Sequence, residues 1–185
     1  MTNDKEKFMS THPTDPVGTS DIYQARWRID PARSSVAFHV PQFYGLSTVK
    51  GRFERYDGTL SLSRQPAIEL TIDAASLGTN NRLRDAHLRS RDFFHIKNHP
   101  QVRFVADSAT LNGERLKVSG RLHATGNSIP VDVDATLRRD GDSLDIEATA
   151  YADHRQLGMT RGSLLSVIGT PSKLIVRGKL TREDS

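Results

Sequence analysis

A period of two governs most of this chain, and it sharply limits what the chain can fold into. From Val36 to Leu180, apolar and polar residues alternate in nine short segments. Val36, Phe38 and Val40 alternate with Ser35, Ala37 and His39. Val49, Gly51 and Phe53 alternate with Lys50, Arg52 and Glu54. The same pattern returns at Leu60/Leu62, Ile68–Ile72, Val102/Phe104, Leu116–Leu122, Ile129–Leu137, Leu144–Ala150 and Leu174–Leu180. Successive side chains on a strand point to opposite faces, so each segment has one face to bury and one to leave in water. Tyr56-Asp57-Gly58, Asn112-Gly113, Gly126-Asn127 and Asp140-Gly141-Asp142 supply turns between them. Many half-buried strands joined by tight turns predict an all-β domain, either a closed antiparallel barrel or a sandwich. Periodicity alone does not choose between the two.

The chain has 185 residues, enough for one domain with a sizeable core. Residues 1–24 mix Thr, Asp, Pro and Ser without a period and are expected to form a disordered tail. The expected domain is 25–182, with no internal repeat or linker. Asp153 to Pro171 lacks a clean period and is expected to be a long loop, with a helical turn near Leu164.

Residues 82–95 interrupt the strands. Arg84-Asp85-Ala86-His87-Leu88-Arg89 has the makings of a short helix, and Ser90 is placed to cap a second helical turn carrying Asp92. His99-Pro100 closes the excursion, because a residue before proline is pushed out of the α region.

Chemistry-bearing patterns are sparse. There is no cysteine, which removes disulfides, thiolate metal sites and a cysteine nucleophile. The net charge of +4 reads as a solvated surface, and no nucleic-acid partner is expected. No apolar run reaches the ~18 residues of a bilayer span. The first residues form no secretory leader, so a cytoplasmic location is expected. His87, His95 and His99, with Asp85 or Asp92, are a candidate metal group, and a small metal-dependent hydrolase is the rival to a binding protein. Pro100 opposes a regular helix through His99, and hydrogen-bonded caps account for these histidines, so no metal or other cofactor is expected. No GxSxG elbow or phosphate loop is present, Gly162-Ser163 follows no strand, and adjacent Asp153-His154-Arg155 on a strand would face opposite ways. The expectation is a protein that is not an enzyme.

RDAHLRSRDFF at 84–94 and HPQVRF at 99–104 closely resemble the signature of the YceI-like, lipocalin-like proteins. Trp27-x-Ile29-Asp30-Pro31, Ser34-Ser35-Val36-x-Phe38, Thr48-Val49-x-Gly51-x-Phe53, Leu70-x-Ile72-Asp73-Ala74-x-Ser76-Leu77, Asn80-Asn81 and Val118-x-Gly120-x-Leu122 fit in the same order. The resemblance covers 27–182. It implies an extended lipocalin-like antiparallel β-barrel and non-enzymatic binding of a polyisoprenoid or isoprenoid-quinone-like lipid, in lipid handling or a stress response. Many such proteins carry a secretory signal, and Leu157–Thr160 and Ser166–Pro171 depart from the family pattern.

On that reading the inward phase names the ligand wall: Val36, Phe38, Val40, Val49, Gly51, Phe53, Leu70, Ile72, Phe104, Val118, Gly120, Leu122, Val133 and Ala148. Phe93 and Phe94 would close the mouth. Gly51, Gly120, Ala135, Ala148 and Gly178 would leave room for a chain. Arg84, His87 and Arg89 are the candidate head-group contacts, since guanidinium matches phosphate oxygens. The expected partners are an apolar small molecule or lipid and, at most, a second copy in a homodimer. A third reading is a stress protein whose barrel is simply full.

Overall fold

The structure, a computed structural model, describes residues 19–42, 46–159 and 171–183. Eleven strands run in chain order: β1 (Arg26–Ile29), β2 (Ser35–Gln42), β3 (Ser47–Phe53), β4 (Tyr56–Ser61), β5 (Ala67–Asp73), β6 (Leu77–Gly78), β7 (Gln101–Asn112), β8 (Arg115–Ala124), β9 (Asn127–Asp140), β10 (Ser143–Ala152) and β11 (Ser172–Arg182). Two helices join them, α1 (Thr19–Gln24) and α2 (Arg82–Arg89).

Every pairing is antiparallel. The order β1-β4-β5-β7-β8-β9-β10-β11 returns to β1 through Trp27↔Arg182 and Ile29↔Leu180, so eight strands close a barrel. Closure leaves the ring without an unpaired edge.

The barrel has two unlike ends because its first long strands are each broken once. Asp30-Pro31 separates β1 from β2: proline opens a single 3-10 turn, and the Asp30 carboxylate accepts from Ala32 N at 3.0 Å. Between β3 and β4, the Ser76 hydroxyl accepts from Glu54 N at 3.2 Å and Arg55 N at 3.0 Å. Strand β11 therefore pairs with β1 along its last residues and with β2 along Lys173–Arg177. Gly178 lies at the changeover, with φ +153°; a Cβ there would collide with Ser34, whose hydroxyl accepts from Lys179 N at 3.1 Å. From β11 the strands β2, β3 and β6 carry the sheet past the ring and flare one end.

At the narrow end α1 lies against β4. Trp27 is 1% exposed and donates its indole N–H to Ile22 O at 3.4 Å, forming a plug with Ile22, Leu60, Leu116, Leu144 and Leu180. At the wide end the chain from Asn81 to Pro100 crosses the opening. Asn81 caps α2 by accepting from Arg84 N at 3.0 Å, and Ala74 N donates to Pro100 O at 2.9 Å.

Several expectations are corrected. Among the described residues nine segments are eleven strands, the additions being β1 and two-residue β6, and Tyr56-Asp57-Gly58, expected as a turn, is the paired start of β4. The helical excursion is regular only over Arg82–Arg89. Ser90 ends α2, and its hydroxyl accepts from Asp92 N at 3.3 Å to cap the turn that follows, as expected. Residues 19–24, expected within the tail, form α1 with Ile22 buried. The helical turn near Leu164, Gly162-Ser163 and Ser166–Thr170 lie outside the described residues.

Candidate functional site: an apolar cavity in the barrel

Inward side chains of the closed sheet do not meet in the middle. They enclose a cavity of about 770 Å³ that runs from Ile29 and Leu180 to α2. An eight-stranded barrel is just wide enough either to be filled by side chains or to hold one small ligand, and this one is not filled.

The cavity brings together most of the residues expected to face a ligand. Val36, Phe38, Val40, Val49, Phe53, Leu70, Ile72, Phe104, Val118, Leu122, Val133 and Ala148 line its wall, and Phe93 and Phe94 lie at the end crossed by α2. Phe53 packs edge-on against Phe94 with ring centroids 6.0 Å apart, and tilts against Phe38 at 5.3 Å.

Gly51 and Gly120 do not line it. The Phe38 ring covers Gly51, where a Cβ would lie 2.6 Å from Phe38 Cε1. The Phe104 ring covers Gly120, where a Cβ would lie 2.7 Å from Phe104 Cζ. These glycines, like Gly178, make room for their neighbours and not for a ligand chain. Space within the cavity comes instead from Ala135, Ala148, Ala150 and Ala152.

The expected head-group residues divide. Arg84 and His87 line the cavity, whereas Arg89 does not. Arg84 donates from Nε to Thr79 Oγ1 at 2.7 Å and from its terminal nitrogen to Thr79 O at 2.8 Å. Arg89 donates to Ala75 O at 3.0 Å and to Leu77 O. Both guanidiniums thus tie α2 to the segment around β6. His87 packs its ring on Phe93, centroids 5.0 Å apart. His95 and His99 meet edge to face, with centroids 5.5 Å apart. Among the described residues no group of three or more His, Asp or Glu is placed to hold a metal ion.

One polar feature of the wall escaped the pattern reading. His154 and Ser172 line the cavity, with His154 Nδ1 3.3 Å from Ser172 Oγ. Burial pushes the His154 pKa below the ordinary histidine value, against the opposing pull of Asp153, so the ring is neutral at pH 7. Asp153 is engaged with Arg155 at 2.9 and 2.7 Å. Asp153-His154-Arg155, expected on a strand, lies beyond it: β10 ends at Ala152 and the chain has entered a turn. Leu157 and Met159 reach the wall from the same turn.

An antiparallel eight-stranded barrel with an apolar interior and a helix across one mouth defines a lipocalin-like class of fold. Residues 27–180 match the model of the YceI-like domain, and the chain belongs to that family. It is 34% identical over 131 residues to a UPF0312 protein of Photorhabdus laumondii, a match covering 68% of each chain. It is 36% identical over 105 residues to Protein YceI of Escherichia coli O157:H7, and there the match spans only 55% of either chain. BcnA of Burkholderia cenocepacia superposes with a TM-score of 0.72 at 18% identity, over 82% of this chain and 98% of that one. A domain of Saccharophagus degradans described as polyisoprenoid-binding superposes with a TM-score of 0.68 at 16% identity, over 86% and 99%.

Proposed function

We propose that the barrel binds, without transforming it, one long-chain apolar ligand of the polyisoprenoid or isoprenoid-quinone type. The observation that carries this reading is the cavity of about 770 Å³, walled by aliphatic and phenyl side chains along the barrel. Burying such a chain gains about 0.8 kcal/mol per CH₂, and an aqueous void with this lining has no comparable source of stability. The description of the Saccharophagus domain as polyisoprenoid-binding agrees with it.

The ligand's polar end is assigned to the neutral His154–Ser172 pair, which offers one hydrogen-bond donor and one acceptor to a carbonyl or hydroxyl. Arg84 and Arg89 are already engaged with Thr79, Ala75 and Leu77, so a neutral head group suits this wall better than a diphosphate. A place in lipid handling or a stress response, and residence in the cytoplasm, are proposed on the same footing.

Native mass spectrometry of freshly purified protein tests the reading. The expected spectrum carries one extra mass per chain that dissociates as a neutral, extractable isoprenoid lipid. A clean apo mass, together with no uptake of added polyprenol or isoprenoid quinone, overturns it.

A further inference from the structure

Ion pairs engage cations along the whole barrel, including Arg55 with Asp73, Arg103 with Glu69 and Arg155 with Asp153, but among the described residues leave several at its wide end unpaired. Near the narrow end Arg26 pairs with Glu183, Arg28 with Asp57 and Glu183, Arg138 with Glu114, and Lys179 with Asp140 and Asp145. Just below the wide rim the outer face carries a cross-strand row: Tyr151 opposite Lys173, Lys173 opposite His39, and His39 opposite Lys50. Among the described residues no carboxylate pairs with Lys50 or Lys173. Burial, and then the fields of Lys50, Lys173 and Arg177, hold the His39 pKa below the ordinary value. Like charges set side by side across strands destabilise a sheet, so this row lacks a counter-charge that the described chain does not supply.

Three of the four large apolar side chains that are exposed among the described residues gather at the same end, the fourth being Tyr23 on α1. Leu46, the residue before β3, is 88% exposed; Leu83 on α2 is 83% exposed and lines the cavity mouth; Tyr151 is 59% exposed. Exposed Arg82 and Arg91 flank Leu83 and Ser90 in the segment crossing the opening, with no ion pair among the described residues. Aliphatic tips, a tyrosine and unpaired cations together are the chemistry of a membrane–water interface.

We propose that the wide rim docks on an anionic lipid bilayer, with Leu46 and Leu83 in the headgroup layer and Lys50 and Lys173 on lipid phosphates. Docked in this way, the mouth beside α2 opens onto the layer in which an isoprenoid lipid is dissolved. The inference rests on the lipid-binding reading of the cavity and adds the surface from which the ligand comes. A second copy of the chain is a poorer occupant, because a twofold interface would set this basic row against itself.

Co-sedimentation with vesicles free of isoprenoid lipid tests the docking separately from ligand uptake. The protein should bind phosphatidylcholine vesicles containing phosphatidylglycerol and leave pure phosphatidylcholine vesicles alone, with binding weakened by salt. Each cation near an anionic surface is worth a factor of about five, so Lys50→Gln with Lys173→Gln should weaken binding by at least tenfold. Leu46→Asp with Leu83→Asp should abolish it at unchanged melting temperature, since both side chains are exposed. Arg115→Glu with Lys117→Glu, near the narrow end, should matter far less. Equal losses from both ends, or no binding to anionic vesicles, overturn the docking. So does a concentration-dependent dimer that shields Leu83 from the vesicles. A protein that takes up polyprenol from detergent solution yet ignores anionic vesicles sinks the docking and leaves the cavity reading standing. Docking by a protein that takes up no polyprenol supports the docking and sinks the cavity reading.

Discussion

Gly120 on β8 and Ala148 on β10 look alike in the alternating pattern, both small and inward, but the structure gives them opposite roles. A methyl group at Gly120 would press on Phe104 Cζ at 2.7 Å and on Ala106 Cα at 2.9 Å, beside the register shift in β7. Gly120→Ala should therefore overpack the sheet at about 1–3 kcal/mol, seen as a lower melting temperature. Ala148 lines open space, so Ala148→Leu should melt close to the parent while weakening uptake of a long polyprenol. A strongly destabilised Ala148→Leu protein would mean that the cavity is not open in solution. His154 carries a second prediction. Its folded pKa lies below the value of about 6.5 it takes in an unfolded chain. Above that pH both states are neutral and the group has no effect. Below it the unfolded state binds the proton first, so stability is lost as pH falls. Denaturant titrations between pH 7 and pH 5 should show a decline that His154→Gln reduces, with His39 supplying the same sign at the outer face. An unchanged slope would remove the buried neutral ring from the account.

At the scale of the element, α1 is a short helix whose value is positional. Its Ile22 is buried against the narrow-end plug, and its carbonyl takes the Trp27 indole proton. Deleting residues 1–24 should cost about 2 kcal/mol for that side chain, or roughly 4–8 °C in a calorimetric scan of a chain this size. No change would mean that Trp27 seals the end unaided. Most strands are legible in the sequence because burial on one face writes itself into a period of two. β1 alternates over Arg26-Trp27-Arg28-Ile29, but Asp30-Pro31 cuts the pattern off after two apolar residues and no turn signal precedes it. β6 has only two residues and exists because Arg52 and Phe53 offer it a partner. Phe38, Phe53 and Phe104 could be assigned an inward face from phase alone. That the rings of Phe38 and Phe104 fold back over Gly51 and Gly120 could not be read this way, since it depends on which residues lie across the sheet. His154 was hidden for a related reason: alternation assigns faces only within a strand, and the turn after Ala152 follows other rules.

Across the whole molecule, one end is sealed by Trp27 and the other is crossed by α2, so the space between sets a length for the ligand. Each five-carbon unit brings roughly 3–4 kcal/mol of gross transfer free energy at about 0.8 kcal/mol per CH₂. Ordering the chain and removing it from its own micelle offset much of this. Affinity for a series of polyprenols, measured by displacement of a fluorescent lipid, should rise with each added unit by less than the gross value. It should then level off once the chain spans from Ile29 to the mouth at Leu83, beyond which further units lie outside. Ala148→Leu should move the plateau to a shorter chain, because it blocks the cavity partway along. Phe94→Ala should raise affinity for the longest members by widening the mouth. A series in which affinity is flat with length, or in which the plateau does not shift in Ala148→Leu, would mean that the chain does not thread the barrel.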